Sequence, residues 1–164
     1  MAAETELMAA HGLEWTYEQA MLMVGNTLTK SADIMRSFGL PLATEEVVQT
    51  LLRGVIARVH ERIPFRPGAQ ELIASLKAAD VPMALVTMSY RSLAQAVVDG
   101  LPEGTFRTLI TGDEVSRGKP DPEPYFTGAA SLSVEPAACI ALEDSVPGMA
   151  SAIAAGTLLS LIHI

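Results

Sequence analysis

Apolar residues recur at helical spacing through the first third of the chain and then give way to short continuous runs. From Thr44 onward, Val47, Val48, Leu51, Leu52, Val55, Ile56 and Val59 form one stripe, with Glu45, Glu46, Gln49, Arg53 and Arg58 on the other side. That spacing predicts an amphipathic helix. Upstream, Met1–Ala10 is built from Ala, Met, Glu and Leu, which favour helix. Thr16-Tyr17-Glu18-Gln19 has capping-box spacing and predicts the start of a second, short helix. A third is expected over Leu28–Phe38, stopped by Gly39 and Pro41. Residues 1–63 therefore read as a small antiparallel helical bundle, in which Trp15 and Tyr17 are expected to pack and Gly25-Asn26-Thr27 to form a helix-ending turn.

The pattern changes at Pro64-Phe65-Arg66-Pro67-Gly68. A helix follows, with Ala69, Leu72, Ile73 and Leu76 as its expected buried face. Beyond it, strands and helices alternate. Strands are predicted over Val81–Val86, Arg107–Thr111 and Cys139–Leu142. Helices are predicted from Ser89 to Val98, from Asp121-Pro122 to about Leu132, and over Pro147–Ala155. Such alternation predicts an α/β domain with a parallel sheet covered by helices.

Composition narrows the function classes. With 164 residues, 49% hydrophobic and 18% charged, the chain is long and apolar enough to bury a core. A formal charge of −8 argues against a nucleic-acid partner, whose phosphates need clustered Lys and Arg. No apolar run is long enough for a membrane span, and no charged segment precedes a signal-like apolar run, so a cytoplasmic location is the default expectation. The lone Cys139 excludes an internal disulfide and is expected to be a core thiol. His11, His60 and His163 lack metal-ligand spacing, and the eight Met residues read as core filler.

The candidate chemistry lies at strand ends, where open α/β sheets bind ligands. Thr87 ends one strand, Lys119 follows the next in Gly118-Lys119-Pro120, and Glu143-Asp144 end the third. Each has an ordinary alternative: a helix cap, a solvated loop charge, a pair of carboxylates serving a helix dipole. Their convergence favours a site. The Thr87 hydroxyl with the backbone N–H groups of Met88 and Ser89 suits phosphate oxygens. Lys119 suits the charge of a transferring phosphoryl group, and Glu143 with Asp144 offer the hard oxygens that magnesium prefers.

Val86-Thr87-Met88-Ser89, Arg117-Gly118-Lys119-Pro120-Asp121-Pro122 and Ala141-Leu142-Glu143-Asp144-Ser145, followed by Pro147-Gly148 and Ala154-Ala155-Gly156, resemble the second, third and fourth motifs of the haloacid dehalogenase superfamily. The similarity is to its phosphatase and phosphomutase branch and covers about residues 64–156. It implies a Rossmann-like core with an inserted helical cap: residues 1–63 as cap, 64–158 as a partial core and 159–164 as a tail. It implies Mg2+ as cofactor, with Thr87 and Lys119 binding the phosphoryl group and Glu143 and Asp144 serving the metal.

The resemblance further implies an aspartyl-phosphate mechanism, with the nucleophile in an Asp-x-Asp-Gly-Thr motif on a first core strand. The sequence contains no such motif. That strand is therefore expected to be missing. Leu159–Ile164 resembles the translation of a transposon-end sequencing adaptor and is expected to be non-native. The expected function is a phosphatase acting on a small phosphorylated metabolite. The alternatives are a phosphomutase of the same branch, or an inactive fragment or binding module as the chain stands. No oligomeric state is legible, and an acidic phospho-acceptor of the receiver type is absent.

Overall fold

Side-chain caps set where the first helices begin. The structure, a computed structural model, describes residues 2–23 and 26–161 and divides into two units, Met1–Arg62 and Ile63–Ile164. The first unit holds α1 (Ala2–Ala10), α2 (Tyr17–Met21), α3 (Leu28–Ser37) and α4 (Thr44–Glu61). The predicted capping box is present: Gln19 N–H donates to Thr16 Oγ1 at 3.3 Å, and Thr16 N–H donates to Gln19 Oε1 at 2.8 Å. The Thr27 side chain caps α3, accepting from Lys30 N–H at 3.2 Å. Gly25 of the expected turn lies outside the described residues.

Leu7, Met8, Ala32, Met35, Val47, Val48, Leu51 and Leu52 form the buried core of this unit. The predicted α4 stripe is buried only in its first half, and Val55 is exposed. With 18 residues against nine in α1 and ten in α3, α4 outruns the helices packed on it. Trp15 packs edge-on against Phe38, ring centroids 5.7 Å apart. Tyr17, expected beside it, is instead exposed at the first turn of α2. Of the methionines, Met8 and Met35 are fully buried as filler, whereas Met21 and Met88 are exposed.

The second unit runs α5 (Ala69–Ala78), β1 (Ala84–Val86), α6 (Arg91–Asp99), β2 (Thr108–Ile110), α7 (Glu123–Ser131), a 3-10 turn (Pro136–Ala138), β3 (Ile140–Glu143), α8 (Val146–Ala154) and β4 (Leu158–Leu161). Parallel neighbours need a crossover helix, and α6 and α8 supply it. β1 pairs with β2, Ala84 opposite Thr108, and β3 pairs with β4, Ile140 opposite Leu158. This is the Rossmann-like α/β pattern the sequence predicts. Among the described residues no ladder joins β1 to β3, so the strands form two sheets of two. α7 packs on β1, β2 and α8, and α8 packs on β3 and β4. Close approach of α7 rests on Gly128, where a Cβ would stand 3.2 Å from Val86 Cγ2.

Three details differ from expectation. α6 begins at Arg91, not Ser89, because the Arg91 N–H is capped by Asp113 Oδ1 at 3.0 Å from the loop after β2. The apolar residues of α5 are not buried, since among the described residues no element packs broadly on that helix. Cys139 is half-buried, because it closes the 3-10 turn ahead of β3, its Sγ 3.5 Å from Glu135 O; within β3, Ile140 and Leu142 point outward, 67% and 43% exposed, while Ala141 and Glu143 point inward. Residues 159–161 of the expected tail lie within β4, and 162–164 fall outside the described residues.

Candidate active site

Lys119 is the hub of the strand-end cluster. Its Nζ donates to Val86 O at 3.0 Å, the last carbonyl of β1, and to Glu143 Oε1, the last side chain of β3. Its backbone N–H reaches Met88 Sδ at 3.2 Å, so Lys119 touches the residues on both sides of Thr87. Two glycines let these segments meet. A Cβ on Gly112 would overlap the Met88 carbonyl, and one on Gly118 would stand 2.9 Å from Met88 Sδ. The Thr87 Oγ1 accepts from Ser89 N–H at 3.1 Å, closing a turn two residues ahead of α6. The Ser89 amide expected to face phosphate is thus engaged within that turn.

Glu143 is held from every side. Oε1 accepts from Lys119 and from the Tyr125 hydroxyl at 2.5 Å. Oε2 accepts from Asp144 N–H at 3.2 Å, Ser145 N–H at 3.4 Å and Ser145 Oγ at 3.2 Å. Ser145 in turn caps α8, accepting from Gly148 N–H at 3.1 Å. The carboxylate lies against the first turn of α8, where a Cβ on Gly148 would overlap it. Lys119 and Glu143 side chains are 9% and 5% exposed, so the pair is desolvated and needs these partners.

Burial pushes the Glu143 carboxyl up, but hydrogen bonds from Lys119 and Tyr125, with the Lys119 charge, outweigh it and hold the group below the ordinary carboxylate range. Burial, and then the Glu143 carboxylate, push the Tyr125 phenol far up, so it remains a donor. The neighbouring Asp144 is exposed. Among the described residues no three of His, Cys, Asp and Glu gather as a metal site. Asp144 alone of the two offers an unburied hard oxygen of the kind magnesium takes, since both Glu143 oxygens are engaged within the protein.

Thr87, Met88, Lys119 and Glu143 therefore lie together, with Ser89 in the same turn and Asp144 next in the chain to Glu143. Sequence reasoning missed Tyr125, which sits on α7 and bears no motif of its own. It also missed the clamp behind the Thr87 turn. There Arg91 pairs with Glu114 and donates to Leu109 O at 3.0 Å, while Thr111 Oγ1 donates to Glu114 Oε2 at 2.8 Å. The acidic pair Asp113-Glu114 directly after a predicted strand was the available signal.

A family model described as haloacid dehalogenase-like hydrolase matches residues 4–156. The chain is 33% identical over 154 residues to the bifunctional riboflavin kinase/FMN phosphatase of Arabidopsis thaliana, covering 92% of this chain and 40% of that protein. It is 32% identical over 158 residues to hexitol phosphatase A of Escherichia coli (strain K12), covering 95% of this chain and 66% of that one. Among solved structures, CbbY from Rhodobacter sphaeroides in complex with phosphate superposes with a TM-score of 0.83 at 26% identity, over 99% of this chain and 78% of that one.

Proposed function

The chain belongs to the haloacid dehalogenase-like hydrolases, and on that premise we propose that its strand-end cluster is the phosphate- and metal-binding part of a magnesium-dependent phosphatase acting on a small phosphorylated metabolite. The observation that carries the proposal is the position of Lys119. One ammonium links the end of β1, next to Thr87, with the end of β3, next to Asp144. Residues far apart in sequence thus converge on one strand-end address, where α/β sheets take ligands. Two relatives that match over most of the chain, an FMN phosphatase and a hexitol phosphatase, support the reaction class.

In this scheme the Thr87 hydroxyl orients the phosphoryl group, and Lys119 offers positive charge where negative charge develops. Glu143 fixes Lys119 in place. Asp144, with Glu143 beside it, would hold magnesium, which when bound neutralises phosphate charge in an acidic protein. Thr87, Lys119, Glu143 and Asp144 thus supply binding and charge stabilisation, and the family's attacking Asp-x-Asp-Gly-Thr motif is not among the 164 residues.

The test is hydrolysis of p-nitrophenyl phosphate by the chain joined to a preceding strand that ends in Asp-x-Asp-Gly-Thr. Turnover is expected to require magnesium, and Lys119→Ala is expected to lower kcat/KM by roughly 100- to 1000-fold, as for loss of one transition-state donor. Hydrolysis unchanged by chelation, or unchanged by Lys119→Ala, would overturn the proposal.

A further inference from the structure

A lysine ammonium has three hydrogens to donate, and the fold gives Lys119 three partners. They are Val86 O at 3.0 Å, Glu143 Oε1, and Tyr125 Oη at 3.4 Å. Tyr125 differs from the other two in what else it does. Its hydroxyl donates to Glu143 Oε1 at 2.5 Å, and its ring lies beneath the ammonium, 5.0 Å from Nζ to centroid. One side chain therefore touches both members of the buried pair and the space between them.

We propose that Tyr125 is a positioning residue that holds Lys119 at the end of β1, through its hydroxyl bridge to Glu143 and its ring under the ammonium. The bond lengths give it a second quality. An arriving phosphoryl oxygen must replace one partner of Lys119. Displacing Val86 O would orphan a carbonyl, and displacing Glu143 would leave a buried charge unpaired, both costly. Displacing Tyr125 breaks the longest contact and leaves the Tyr125–Glu143 bond intact. Tyr125 thus keeps the lysine placed without closing it to an anion. This last consequence rests on the phosphoryl-transfer proposal above, whereas the positioning itself does not.

The experiment uses the 164-residue chain and needs no turnover. The protein is treated with a water-soluble acetylating ester, and acetylation of each lysine is followed by peptide mass spectrometry. Exposed Lys30 serves as the internal reference. In the native chain Lys119 is expected to acetylate far more slowly than Lys30. Tyr125→Phe, which keeps the ring, is expected to raise the Lys119-to-Lys30 ratio roughly three- to tenfold, the range for losing an ordinary intramolecular hydrogen bond. Tyr125→Leu should raise it further as the ring contact is lost. The ratio of Lys77 to Lys30 should not move, which separates positioning from general loosening.

A Lys119 ratio unchanged in Tyr125→Phe and Tyr125→Leu would overturn the proposal. If Tyr125→Leu loses its far-UV circular dichroism, Tyr125→Phe decides alone. Inorganic phosphate is the probe for the shared site: protection of Lys119 from acetylation supports both proposals. Failure of saturating phosphate to protect Lys119 in native chain and variants alike would strike the phosphoryl-transfer proposal and leave the Tyr125 result standing by itself.

Discussion

At the scale of single residues, Glu143 is the most constrained group in the second unit, and its protonation has a definite sign. Its folded-state pKa lies below the ordinary carboxylate value, so the unfolded chain takes up the proton first as pH falls. The contribution of the Glu143 pair is full above about pH 4.3 and is lost as pH drops from there through the depressed folded value. Thermal midpoints between pH 3 and 7 should therefore fall more gently on the acid side in Glu143→Gln than in the native chain. An equal acid slope in both would remove Glu143 from the account. Gly148 carries a second expectation, because a methyl there overlaps the Glu143 carboxylate. Gly148→Ala should destabilise by about 1–3 kcal/mol, the usual range for overpacking, read from the urea midpoint. Thr87 and Glu143 were legible as candidates in the sequence because each stands at a predicted strand end, and Lys119 because it lies in the loop that follows one. Tyr125 was not: six positions past Lys119 on a helix, its part in the site depends on how α7 turns against β1, which no local pattern encodes.

At the scale of elements, helix starts test how far local chemistry decides boundaries. α2 starts where its capping box says, because the donors and acceptors lie within four consecutive residues. α6 does not, because its cap comes from Asp113, distant in sequence. Asp113→Ala should cost about 0.5–2 kcal/mol, the range for losing a cap, and increase amide exchange at Arg91 and its helical neighbours. Unchanged exchange at Arg91 would show that the cap carries no weight. The same distinction explains α5. Its sequence has a proper apolar face, but burial of that face depends on a partner, and among the described residues none packs broadly on it. Amphipathic spacing shows which side of a helix is suited to burial, not whether anything covers it.

At the scale of the whole molecule, the second unit leaves apolar side chains in view. Ile140, Leu142 and Leu158 are 67%, 43% and 61% exposed on one face of the β3–β4 sheet. Contiguous apolar surface of this kind binds hydrophobic dyes and promotes association. The chain should enhance anilinonaphthalene sulfonate fluorescence in its native state, and Ile140→Thr with Leu142→Thr should lower the enhancement. A native chain that leaves the dye dark would show that this face is covered in solution.

The two parallel pairs also bear on how this unit folds. Ala84 meets Thr108 across one crossover helix and Ile140 meets Leu158 across another, so each sheet closes over a short stretch of chain. Closing a shorter stretch costs less chain entropy than closing a longer one. No strand ladder links the two pairs; among the described residues α7 and the Lys119 bridge do so instead. Closure of each pair should therefore precede the step that joins the two. Lys119→Met, which removes the bridge and keeps the stem, should lengthen that later phase in stopped-flow refolding and leave the first phase unaltered. The lysine at the centre of the candidate site would then also act as a late fastening in assembly, joining the β1–β2 pair to the β3–β4 pair.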